Sequence, residues 1–137
     1  MDKEHNLNWF KFADTDLATV EYILSMRPLP CEIICFHCQQ SVEKYLKGYL
    51  IYNGIEQPPK IHDLIELCKL CRDFDTRFDE IADMCGYLSD YGVQPRYPDE
   101  MQINEQAMQK AVQYARKIKA FEPIIAVRQA LENQAQT

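Results

Sequence analysis

At 137 residues, with 47% hydrophobic and 11% aromatic side chains, the chain makes one domain over 1–137 that buries roughly two thirds of its unfolded surface. That composition excludes disorder, and a net charge of -6 with a pI near 5.0 argues against a general DNA or RNA binder, which presents a basic face. The start MDKEHNLNWF lacks the cationic and apolar runs of a signal peptide, and no apolar run is long enough for a membrane span, so a cytoplasmic location is expected.

Every long segment repeats its apolar residues at helical spacing. Trp9, Ala13, Leu17, Val20, Ile23 and Leu24 share one face of a first helix, which must stop before Arg27-Pro28-Leu29-Pro30. A second helix is predicted from near Cys31 to Tyr52, closed by Asn53-Gly54, with Ile34, Cys38, Val42, Tyr45, Leu46 and Tyr49 as its main apolar arc. After the loop carrying Pro58-Pro59, Asp63-x-x-Glu66 is a capping box for a third helix that buries Leu64, Leu67, Cys68 and Cys71. Thr76-x-x-Asp79 opens a fourth, with Ile81, Cys85 and Leu88 inward. Gly92 to Met101 is an irregular loop holding Pro95 and Pro98. A last long helix starts near Asn104 and buries Ala107, Ala111, Ala115, Ile118 and Phe121. Pro123 inside it would cost about 3 kcal/mol, so a kink or restart is expected there. With no alternating strand and no repeat, the fold class is all-α, an up-and-down bundle of four to five helices.

Six cysteines include two Cys-x-x-Cys pairs, Cys35/Cys38 and Cys68/Cys71. Structural zinc pairs sit in turns, whereas these fall on the apolar sides of predicted helices, where a thiol acts as a small hydrophobe. Reduced thiols, no metal and no cofactor are expected.

Three features depart from a plain bundle. Asp16 falls within the apolar arc of the first helix, so its carboxylate needs a partner on a neighbouring helix or a place beside a ligand pocket. On the second helix His37, Gln40, Lys44 and Lys47 follow three/four spacing and form a polar strip suited to phosphates or an acidic partner. Further round, Phe36, Glu43 and Leu50 recur every seven residues, which marks a candidate dimer seam. Finally, Gln94-Pro95-Arg96-Tyr97-Pro98 presents Arg96 and Tyr97 between stiffening prolines. A ligand site is therefore expected between the second helix and the Arg96 loop.

The segment CFHCQQSVEKYLKGYLIY, together with Trp9, Asp16-Leu17, His62-Asp63-Leu64 and Arg96-Tyr97-Pro98, resembles the HEPN domain family of small helical, nucleotide-associated proteins. The resemblance implies a compact bundle, commonly a homodimer, often encoded beside a minimal nucleotidyltransferase in toxin-antitoxin-like pairs. Other members of the wider superfamily are ribonucleases, marked by Arg followed after four to six residues by His. This chain departs from that signature. Its histidines are His5, His37 and His62, and none has an arginine five to seven positions upstream. After Arg96 those places hold Met101, Gln102 and Ile103, which offer no useful general acid or base. The expected function is a non-catalytic dimeric module for a nucleotide or a minimal nucleotidyltransferase partner. The alternatives are a divergent ribonuclease that brings Arg96 to His37 or His62 by folding, and a purely structural dimerisation unit.

Overall fold

The computed structural model describes residues 3–92 and 102–136. Over these the chain forms α1 (Lys3–Ile23), α2 (Cys31–Tyr52), α3 (Leu64–Arg72), a 3-10 turn (Thr76–Ile81), α4 (Ala82–Ser89), α5 (Glu105–Lys119) and α6 (Glu122–Ala135). Each boundary has a local cause. α2 begins directly after Pro30, and at its other end Gly54 takes φ +102°, which the missing side chain permits. Asp63 caps α3 by accepting from the Ile65 amide at 2.9 Å, and Asn104 caps α5 by accepting from the Ala107 amide at 2.7 Å.

Two expectations shift. The fourth helix does begin at Thr76, but as a 3-10 turn capped by Asp75, and it becomes α-helical only at Ala82. The restart at Pro123 is complete. α5 ends at Lys119 and α6 begins at Glu122, with the proline in the first turn where its absent N–H costs nothing. The described residues therefore form six α-helices rather than four to five.

α2 is the axis of the bundle and packs against each of the other five helices. Of its 22 residues 15 are buried, so its helical surface is enclosed on nearly every side. The expected arc from Ile34 to Tyr49 lies in the core, but so do residues outside it. Leu50 is fully enclosed and Glu43 is 5% exposed, so the heptad seam of Phe36, Glu43 and Leu50 is not an outer face. Only Phe36 of the three keeps partial exposure. Seven-residue spacing selects a helical stripe, but it cannot say whether the chain itself covers that stripe.

α1 and α2 run antiparallel at close quarters. A Cβ on Gly48 would sit 2.8 Å from the Phe10 ring, so glycine is what lets the helices approach. Ser41 Oγ donates to the Ala13 carbonyl at 2.8 Å and sets the register. Beyond them, Phe78 stacks with Tyr49 and Phe121 at centroid distances of 4.6 and 5.2 Å, joining the short helices to α2 and α6. All six cysteines are buried. Burial pushes the Cys35 thiol up to about 12 and those of Cys38 and Cys71 higher still, as expected of thiols that fill a core. Among the described residues no helix is long and apolar enough to cross a membrane.

Candidate functional site

The α1–α2 seam carries the polar chemistry. Asp16, placed by periodicity on the packed side of α1, meets two donors from α2. His37 Nδ1 lies 3.2 Å from one carboxylate oxygen, and Lys44 Nζ donates to the other. The buried-side carboxylate is thus neutralised by a neighbouring helix, while His37 and Lys44 each keep about a quarter of their side chains exposed, 28% and 26%. They are held in place and still reachable.

Beside Lys44 a cavity of about 320 Å³ opens between the two helices. Its walls are His5, Asn8, Trp9, Phe12 and Lys44. Asn8, Trp9 and Phe12 come from one stripe of α1, and the same stripe continues one turn on to Asp16. Phe12 is 61% exposed. The site therefore combines two aromatic rings, an amide and a cation already fixed by a carboxylate.

The polar strip expected along α2 does not stay together. His37 and Lys44 turn to Asp16. Gln40 instead donates to Gln39 Oε1 at 2.7 Å. Lys47 is buried at 6% exposure and pairs with Glu43 at 3.1 Å. Gln39 donates to Glu43 at 3.3 Å and to the His62 carbonyl at 3.0 Å, and His62 Nδ1 lies 3.0 Å from the same carboxylate. Lys47 is a structural cation here, not a donor to an outside phosphate. The cause is α2's central position, which divides its polar flank between the α1 seam and the loop entering α3. Arg96 and Tyr97 lie outside the described residues.

A second cleft, about 690 Å³, lies where α1 meets the end of α5 and the start of α6. Arg116 forks onto Glu21 with both bonds at 2.6 Å, and Arg128 reaches Asp14 at 2.7 Å beside the Tyr45 hydroxyl, which also donates to Asp14. The Arg116 bond holds the Glu21 carboxyl below its usual range. These cations are committed to carboxylates of α1 and clasp α5 and α6 to it. Nothing in the periodicity of α1 announces a partner that is 95 residues away for Glu21. Among the described residues no three His, Cys, Asp or Glu side chains converge as metal ligands.

The HEPN domain profile matches residues 7–125. The chain belongs to the HEPN domain family. The matched span of this HEPN domain takes in Asn8, Trp9, Phe12, Asp16, His37 and Lys44, with His5 just before it. The crystal structure of TT1696 from Thermus thermophilus has the same fold, with a TM-score of 0.72 at 23% identity over 89% of this chain and 97% of that one. Comparison with curated proteins gives no match.

Proposed function

We propose that this HEPN domain is a non-catalytic binding module that takes a nucleotide in the α1–α2 cavity, as a homodimer working with a minimal nucleotidyltransferase partner. One observation carries the reading: Trp9 and Phe12 line the same cavity as Lys44. A nucleotide asks for that pairing, a flat apolar surface for the base and a cation for the phosphate. Stacking a base on an aromatic ring contributes about 1–3 kcal/mol, and a charge-assisted contact to phosphate adds a bond roughly twice as strong as a neutral one. His37, next to Lys44 on Asp16, supplies a further donor when protonated. The volume falls at the lower end of the range for small-molecule sites, about 300–1,000 Å³.

The state of the arginines and histidines favours binding over cleavage. Each described arginine is engaged: Arg27 with the Leu24 and Met26 carbonyls, Arg72 with Asp79, Arg77 with Asp75 and Glu122, Arg116 with Glu21, and Arg128 with Asp14. His37 and His62 are each held by a carboxylate. A ribonuclease needs an arginine and a histidine that face the same scissile phosphate, whereas these side chains face carboxylates or, for Arg27, backbone carbonyls. For the partner, the nucleotide binding proposed for the cavity fits an enzyme that itself handles nucleotides.

The test uses the protein's own reporter, because Trp9 is the chain's single tryptophan. Titration with nucleoside mono- and triphosphates should quench or shift its fluorescence, more weakly at higher salt, and Lys44→Ala should weaken the response. Unchanged fluorescence and heat with every nucleotide sinks the reading. Cleavage of single-stranded RNA that disappears in Arg96→Ala replaces it with the ribonuclease alternative.

A further inference from the structure

The side chains around the α1–α2 cavity are ordered along it. Lys44 Nζ is held at Asp16, one turn beyond Phe12. Asn8 lies one turn to the other side of Phe12, so positions 8 and 16 are separated by roughly 12 Å along α1. The rings of Trp9 and Phe12 fall between the two ends. At the Asn8 end the polar groups are few. Trp9 Nε1 is buried with no hydrogen-bond partner among the described residues, so that ring offers a ligand only apolar surface. His5 is exposed, and its two ring nitrogens point in different directions. Asn8 is partly exposed, and among the described residues its carboxamide has no partner. Of these groups only the carboxamide sets a donor and an acceptor side by side.

We propose that Asn8 holds the base edge of the bound nucleotide and that the cavity selects purine nucleoside phosphates, with the phosphate on Lys44. The inference rests on the nucleotide reading of this cavity and adds the direction in which the ligand lies. With its phosphate at Lys44, the nucleotide extends along α1 toward Asn8. The Watson–Crick edge is the part farthest from the phosphate, and a purine carries that edge farther than a pyrimidine by the width of its second ring. Two fused rings also cover more of Trp9 and Phe12. At the edge, the carboxamide donates to adenine N1 and accepts from the N6 amino group. Turned over, it accepts from guanine N1–H and donates to O6. An amide with no partner inside the protein turns at little cost, so both purines are taken.

An unpaired asparagine on a helix surface is also an ordinary solvated side chain, so the test must separate the two. Calorimetry on the full chain compares adenosine, guanosine, cytidine and uridine monophosphates with ribose 5-phosphate. Both purine nucleotides should bind roughly tenfold more tightly than the pyrimidine ones, within the range of one bidentate contact. Asn8→Ala should remove that difference, whereas Lys44→Ala should weaken all five ligands together. Asn8→Asp presents acceptors only, which suit guanine N1–H and its amino group but not adenine N1. The guanosine-to-adenosine affinity ratio should therefore rise roughly tenfold in that variant. The ratio cancels any repulsion between the new charge and the phosphate, and a thermal melt confirms that each variant folds. Equal binding of the four nucleotides by the wild type, or a purine preference that survives both Asn8 variants, overturns the base reading and leaves the nucleotide site standing. Ribose 5-phosphate binding as tightly as adenosine monophosphate does the same. Binding of none of the five overturns the site and the base reading together.

Discussion

Lys47 Nζ lies 3.1 Å from Glu43 Oε2, one helical turn away, with both side chains less than a tenth exposed. The same carboxylate also receives Gln39 and His62, so it ties α2 to the loop that enters α3. Desolvating two charges costs several kcal/mol each, and this network offsets that cost only while both are present. Lys47→Met should therefore destabilise the protein by about 3–5 kcal/mol. The double variant Glu43→Leu, Lys47→Met should recover most of the loss, because no lone charge remains. Urea denaturation of the two singles and the double checks this. Strictly additive losses would show that the pair is not energetically coupled.

Asp16 competes with any ligand for Lys44. Asp16→Asn keeps the shape and a hydrogen-bond acceptor but removes the negative charge, so Lys44 and His37 become available to an anion. Nucleoside phosphate affinity should rise by about 1 kcal/mol, roughly fivefold, the scale of one charge-assisted contact. Calorimetry on the variant, with a thermal melt to confirm folding, reads it. An affinity that falls while the melt is unchanged would place the phosphate away from Lys44.

The proposed homodimer has a narrower footing on α2 than heptad spacing suggested. Phe36 keeps partial exposure, while Phe12 on α1 is more than half exposed. Sedimentation at tens of micromolar should give a dimer that buries more than about 1,000 Å² in total. Phe36→Asp should shift it toward monomer without loss of helix. Leu50→Ala tests the opposite residue. Because Leu50 is enclosed, it should cost about 2–5 kcal/mol of folding stability and leave the residual folded fraction dimeric. A monomer at all concentrations would overturn the assembly.

Arg116 lowers the Glu21 carboxyl below its ordinary value of 4.5, chiefly through their hydrogen bond. The charged form is thus favoured by folding, and the pair's contribution is complete above the unfolded value and lost as pH falls through the lowered folded one. Glu21→Gln should therefore destabilise the protein at neutral pH, with the difference shrinking below about pH 4.5. Both side chains are about half exposed, so the effect should stay below about 1 kcal/mol. Melts of both proteins from neutral to acid pH give the difference directly. A gap that widens toward acid pH would contradict the assignment.

Local chemistry was legible residue by residue. Prolines and caps placed the ends of α2, α3 and α5, because Pro30, Gly54, Asp63 and Asn104 act on backbone groups within a few positions of themselves. Asp16 was legible as a carboxylate in need of a partner, since a charge on an apolar stripe is costly whatever surrounds it. The aromatic stripe of Trp9 and Phe12 beside it was not read from the sequence, which placed Trp9 on the packed face of the first helix and did not single out Phe12. What marked it as a cavity wall was Lys44 arriving from the other helix.

Burial on α2 could not be read in the same way. Its period tells which residues share a stripe, and Phe36, Glu43 and Leu50 do share one. Whether a stripe faces water depends on how many helices pack around it. α2 has five neighbours, several of them distant in sequence, so Leu50 and Lys47 are enclosed and the polar strip is divided. Glu21 with Arg116 belongs to the same class of fact. Helix limits, caps and the need to satisfy Asp16 follow from interactions within a turn or two of chain. Which side chains meet, and which remain open to a ligand, follows from long-range packing, because burial is a property of the assembled bundle rather than of any single helix.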